Sequence, residues 1–132
     1  MTEIEKAYLA GIIDGEGTIT LTKEGEFRYP TITFCNNDKG IIDYVNTFCP
    51  GAVSVKRSNN PLHKDNYVWK LARRRAVNAI QEILPYMHEG KKVARGKTIV
   101  ENYIALTPRN GSYSEELKTK KHLWEEEFFN IV

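Results

Sequence analysis

The sequence has 132 residues, 41% of them hydrophobic, and a formal net charge of +2. Such a chain fits one domain, 1–132, and is long enough to bury a core without disulfide or metal staples. It is too apolar to be disordered, and no apolar run reaches the ~18 residues of a membrane span.

Other classes are excluded by the cysteines and the N-terminus. Cys35 and Cys49 are too few for a disulfide framework, and neither they nor His63, His88 and His122 have metal-ligand spacing. Met1-Thr-Glu-Ile-Glu lacks the basic-then-apolar order of a secretory leader. The expectation is a reduced, intracellular protein, cytoplasmic or organellar, not secreted and with no membrane partner. Charge is segregated: residues 56–97 hold eleven Lys/Arg and three Asp/Glu. A basic middle of this kind is either a solvated face or the footprint of a polyanion.

In chain order, Ile4, Ala7, Tyr8, Gly11 and Ile12 recur at helical spacing over 3–14, with Leu9 and Ile13 as a second stripe. So wide an apolar face predicts a helix covered on more than one side, stopping at Gly17. From Thr18 the period becomes two. Thr18, Thr20 and Thr22 point one way, Ile19 and Leu21 the other. A turn over 23–27 leads to a strand at 28–35, with Ile32 and Phe34 inward and Thr31 and Thr33 outward. Asn36-Asn37-Asp38 reads as a loop and helix cap, followed by a helix at 39–48. The pattern repeats: strands at 52–58 and 66–72 around a polar loop, then a helix at 74–84 closed by Pro85. Helices at 92–106 and from the Ser114 cap complete the chain. The order α-ββ-α-ββ-α-α predicts an α+β fold, with an antiparallel sheet and helices on one of its sides.

The segment 8–21, YLAGIIDGEGTITL, is the oddest. Gly11 and Gly15 lie on one helix face, where small residues let a second backbone approach closely. Glu16 stands at the negative end of the helix dipole, where a carboxylate is disfavoured. Two such helix ends side by side would concentrate acid and carbonyl oxygens, the hard donors that suit Mg²⁺.

LAGIIDGEG at 9–17 resembles the signature of the LAGLIDADG homing endonucleases. Leu9, Ala10, Gly11, Ile13, Asp14 and Gly17 are identical to it, whereas Ile12, Gly15 and Glu16 replace Leu, Ala and Asp. ITFCNNDK, YVWKLARRRAV and LPYMHEGKK also look like the family, over roughly 3–106. The resemblance implies an αββαββα domain whose first helix pairs with a second such helix. Ala7, Tyr8, Ala10, Gly11, Asp14 and Gly15 would form that interface, and Asp14 would cap backbone donors near the partner helix.

It also implies a site-specific double-strand DNA endonuclease. Glu16, with the Gly15 carbonyl, would hold Mg²⁺ for phosphodiester hydrolysis. Mn²⁺ would substitute, and Ca²⁺ would bind without supporting cleavage. Lys91 or Lys92 would be the basic residue beside the site. Asn36, Asn37 or Asp38 would orient water, Asp38 aligning best by count. With one motif per chain, the active form would be a homodimer on a near-palindromic site. Outward strand residues, Thr18, Thr20, Thr22, Arg28, Thr31, Thr33, Lys56, Ser58, Asn66, Val68 and Lys70, would face the major groove. Arg73, Arg74, Arg75, Lys97 and the loop 59–65 would meet the DNA backbone. Two other readings stand beside this one. One is a catalytically silent relative that acts as an RNA maturase or DNA-binding protein. The other is a small interaction domain with a chance motif.

Overall fold

The computed structural model describes residues 1–132. Helix α1 (Glu3–Glu16) starts at a capping box: the Thr2 side chain accepts from Glu5 N and the Glu5 side chain from Thr2 N. Strands β1 (Thr18–Glu24) and β2 (Phe27–Asn36) follow, then helix α2 (Lys39–Phe48). Strands β3 (Ala52–Lys56) and β4 (Asn66–Ala72) lead to helix α3 (Arg73–Ile83), which ends in a 3-10 turn at Leu84–Tyr86. Helices α4 (Gly90–Asn102) and α5 (Glu115–Phe129) complete the chain. The four strands form one antiparallel sheet in the order β1-β2-β4-β3.

The alternation seen in the sequence puts Ile19, Leu21, Ile32, Phe34, Trp69 and Leu71 on one face, all buried. They pack with Leu9 and Ile13 of α1, Ile42 and Val45 of α2, and Val77, Ile80 and Ile83 of α3. Each such side chain contributes roughly 1.5–3 kcal/mol by leaving water. All the helices contribute to this side, and the other face of the sheet is left open.

Several expectations are corrected. The hairpin is tighter than predicted: Glu24 pairs with Phe27, so the turn is Gly25-Glu26 alone, with Gly25 at φ 63°. A two-residue turn needs this left-handed conformation to match the strand twist, and glycine adopts it without strain. Strand β3 ends at Lys56, so Ser58 lies in the following loop, its N–H donating to Asp65 Oδ1 at 2.9 Å. Val53 and Val55 stay exposed because β3 is an edge strand that the helix layer does not cover. Helix α4 starts two residues earlier than expected, because Glu89 caps it through Lys92 N, and it ends sooner, at Asn102.

Helix α5 buries the stripe Lys121, Trp124 and Phe128. The Lys121 ammonium donates to Thr107 Oγ1 at 2.8 Å and to the Tyr113 hydroxyl at 2.7 Å. The rings of Phe27, Tyr103 and Tyr113 stand about 5 Å from it. Burial lowers its pKa to about 8, against a smaller opposing pull from Glu125. The unfolded chain holds that proton up to the ordinary lysine range near 10.4. Between these values the unfolded state binds more protons, so stability rises with pH. Burial also raises the pKa of Tyr103 and Tyr113, so the unfolded chain releases those protons first and stability falls again once the pH passes the ordinary tyrosine range of about 10. Burial raises the Cys49 thiol as well, which opposes the rise from Lys121 in the same pH window, so the Lys121 contribution, on the order of 2 kcal/mol, is read as the difference between the parent and Lys121→Met in urea unfolding at pH 7.5 and 9.5. Lys121→Met should flatten that rise, and an unchanged slope in this variant would contradict the assignment.

Candidate functional site

The site is built at the C-terminal end of α1. Leu9, Ala10 and Ile13 turn into the core, all 0% exposed. The opposite face carries Ile4, Ala7, Tyr8, Gly11 and Gly15, all exposed. A Cβ placed on Gly11 or on Gly15 would have no atom within 4 Å. Neither glycine therefore makes room for anything inside this chain. Ala10, expected on the same outer surface, is instead a core residue. Gly17 differs again: its φ is −92°, but a Cβ there would lie 2.6 Å from Ile13 Cδ1. Glycine is needed at Gly17 for close packing as the chain turns from helix to strand, not for a left-handed cap.

Two reciprocal contacts lock the end of α1 to the start of α4. The Asp14 carboxylate accepts from the backbone N–H of His88 at 2.9 Å and of Glu89 at 3.0 Å. The Lys92 ammonium donates to the Ile13 carbonyl at 2.9 Å and the Asp14 carbonyl at 2.8 Å. An acid thus sits at the positive end of α4 and a cation at the negative end of α1, the favourable sense for both dipoles. Asp14 does cap backbone donors, and the donors are the His88 and Glu89 N–H groups of its own chain. Of the two lysines, Lys92 is the one held against the site, and Lys91 is solvent-exposed. An ammonium has three N–H groups, so Lys92 keeps one beyond those two carbonyls.

Glu16 is exposed, and Asn36 Nδ2 donates to its Oε2 at 3.2 Å. The Asn36 amide is oriented from its other side, where Oδ1 accepts from Asp38 N at 2.8 Å. Asp38 is the N-cap of α2, its carboxylate accepting from Gly40 N at 2.8 Å. The polar partner of Glu16 is therefore Asn36, not Asp38. Counting along the strand favoured Asp38, but a side chain committed to a cap is not free to face the acid. Glu16, Asn36, Gly11 and Tyr8 share one open cleft of about 460 Å³ with Ala7 and Ile41. Tyr8 also meets Tyr44 of α2 edge to face, with ring centroids 5.1 Å apart.

The open sheet face continues from this end. The register aligns Thr18 with Thr33, Thr20 with Thr31 and Thr22 with Tyr29, and on β4 sets Lys70 beside Thr33 and Val68 beside Cys35. Asn66 and Lys56 are paired at the far edge. The same register adds Tyr29, Cys35, Ser54 and Ala72 to the expected groove-facing set. Besides Ser58 in its loop, one expected member lies off this face and one lies on it but is buried. Arg28 lies on the helix side, 3.9 Å from Glu125 and over the Phe129 ring. Thr31 is 2% exposed, between Thr20 and Ala72, with its hydroxyl 3.0 Å from that of Thr22. Lys97 sits on α4 in the layer behind the sheet. Arg73 stacks on Tyr29 at 4.0 Å and pairs with Glu24, Arg74 donates to Thr107 O at 3.1 Å, and Arg75 bonds to Pro50 O. The loop 59–65 is mostly exposed beyond β3.

No family model matches the sequence, and no curated protein matches it. Solved structures do match in fold. The chain is similar to the homing endonuclease I-CvuI, in complex with the I-CreI target in the presence of Mg, at TM-score 0.74 and 15% identity. That match covers 98% of this chain and 83% of the other. It is also similar to the archaeal intron-encoded homing endonuclease I-Vdi141I complexed with DNA, at TM-score 0.64 and 10% identity, covering 98% and 85%. The LAGLIDADG homing endonuclease I-GzeII, in complex with its DNA target, matches at TM-score 0.64 and 17% identity. There the chain is covered over 96% of its length and spans 50% of the other.

Proposed function

We propose that this chain, which has the LAGLIDADG homing-endonuclease fold, is a site-specific double-strand DNA endonuclease that works as a homodimer. One observation carries the reading: a helix face on which Gly11 and Gly15 meet nothing within the chain runs straight to an exposed Glu16. Two α1 helices related by a twofold axis would cover that face and bring two Glu16 carboxylates together. The sheet's open face, rich in hydroxyl and small side chains, would then lie along the major groove.

Glu16 and the Gly15 carbonyl are hard oxygen donors in a solvent-open position, and no side chain donates to that carbonyl. They fit a divalent cation of the Mg²⁺ type. Such a cation supplies Lewis-acid stabilisation of the charge on the attacking and leaving oxygens of a phosphodiester. Asn36 holds the Glu16 carboxylate in place. Lys92 fixes the last turn of α1, and its remaining N–H is available to a phosphate oxygen. Asp14 anchors the start of α4 and so keeps Lys92 at this spot.

The test is a selection of cleaved duplexes from a random library with the purified chain. In Mg²⁺ it should return a near-palindromic site of about two helical turns. With Ca²⁺ alone, the recovered site should be bound but left intact, because looser coordination positions the reacting groups poorly. No cleaved product in Mg²⁺ or Mn²⁺, or rapid cutting in Ca²⁺ alone, would contradict the reading.

A further inference from the structure

The bonds that fix Lys92 close into a ring, and one member of that ring has no role in the site so far. The Lys92 ammonium donates to the Asp14 carbonyl at 2.8 Å. The Asp14 carboxylate accepts from Glu89 N at 3.0 Å. The Glu89 carboxylate accepts from Lys92 N at 2.7 Å. Each of the three residues thus reaches with its side chain to the main chain of the next. Glu89 itself is exposed and stands outside the hydrophobic core. It occupies the N-cap of α4, where the shorter side chains of Asn, Asp and Ser are the usual choice. Its charge lies at the positive end of that helix, the favourable sense.

The first turn of α4 depends on that cap. It opens with Gly90, a poor helix former, and a Cβ at Gly90 would meet nothing within 4 Å. Glycine there makes room for no neighbour and leaves the turn loose unless its free N–H groups are bonded. Lys92 is the third residue of this turn, so releasing its N–H lets its main chain drift and carries the ammonium with it. Resting on the cleavage reading above, we propose that Glu89 is a positioning residue for Lys92. Its carboxylate fixes the main chain of Lys92, and the third N–H of the ammonium is thereby aimed at a phosphate oxygen. The role is exercised through Lys92 and needs no contact between Glu89 and DNA. Misplacing a reacting group by about 1 Å can cost roughly a hundredfold in rate, so a cap that holds the first turn has leverage on the chemistry.

The test compares single-turnover cleavage of the selected duplex in Mg²⁺ with its binding in Ca²⁺, for the full chain and its variants. Glu89→Ala should slow cleavage about tenfold and leave the dissociation constant unchanged. Glu89→Asp keeps a capping carboxylate and should restore most of the rate. Ser114→Ala is the control for stability alone: it removes the cap bond that α5 receives from Leu117 N. It should lower the urea midpoint about as much as Glu89→Ala does and keep the parental rate. In a Lys92→Met background, Glu89→Ala should slow the residual cleavage no further. If Glu89→Ala does not fold, Glu89→Gln, whose amide oxygen still accepts, carries the same comparison with a smaller loss. A parental rate in the Glu89 variants, with the parent cutting, overturns the positioning role alone. So does an equal loss of rate in Ser114→Ala, or a further loss of the same size in the Lys92→Met background, because Glu89 would then act through general stability. Weaker binding at an unchanged rate overturns it as well. A parent chain that cuts no duplex in Mg²⁺ or Mn²⁺ overturns the cleavage reading and this role together.

Discussion

Glu16→Gln should reduce DNA cleavage by about three orders of magnitude and leave DNA binding intact. The substitution is close to isosteric and removes only the charge. Asn36 Nδ2 can still donate to the amide oxygen, so the local geometry is kept. Glu16 is exposed and supports no core packing, so stability should change little. Loss of two carboxylates from a homodimer lowers repulsion from phosphate, so binding without a divalent cation should be equal or tighter. The pairing of lost cleavage with retained binding separates a cation ligand from a structural residue. Cleavage near the parent rate, or binding lost in a folded variant, would count against the role of Glu16.

Gly11→Leu should give a well-folded monomer. Inside one chain a side chain at this position enters open space, and leucine is the better helix former by roughly 0.8 kcal/mol. The isolated subunit should therefore melt at the same temperature or higher. Association should suffer, because a twofold interface meets the substitution twice. Overpacking of a close helix pair costs roughly 1–3 kcal/mol per site, so the dimer dissociation constant should rise about a hundredfold or more. Sedimentation equilibrium reads this directly. A monomer with raised stability and lost cleavage is a combination that a glycine needed inside the fold cannot produce. A dimer of parental affinity would contradict the pairing.

Much of the fold is legible in the sequence because burial on one side imposes a period. The threonine alternation at Thr18, Thr20 and Thr22 against Ile19 and Leu21 fixes β1, and Ser114 marks a helix start that its hydrogen bond from Leu117 N bears out. The site is legible where chemistry is local, as at Glu16. It is less so where a side chain's partner lies far along the chain. Arg28 reads as a strand cation until Glu125, 97 residues later, packs against it. Asp14 reads as a capping acid, but the donors it caps, in the backbone of His88 and Glu89, lie 74 and 75 residues away. The choice between Lys91 and Lys92 turns on which ammonium reaches the carbonyls of α1, and spacing alone does not settle that. Asn36 and Asp38 trade places for a similar reason: both are polar, and only the cap geometry of α2 commits one of them. Ala10 falls on the core side because the helix phase, set by Leu9 and Ile13, turns it inward.

The most direct measurement is a crystal structure of the chain on its selected duplex in Ca²⁺. Two subunits should meet along α1, with Gly11 and Gly15 facing their counterparts. Both Glu16 side chains should converge on the cation sites at the scissile phosphates. A single subunit on the duplex, or a dimer joined through another surface with the two Glu16 residues far apart, would contradict the account.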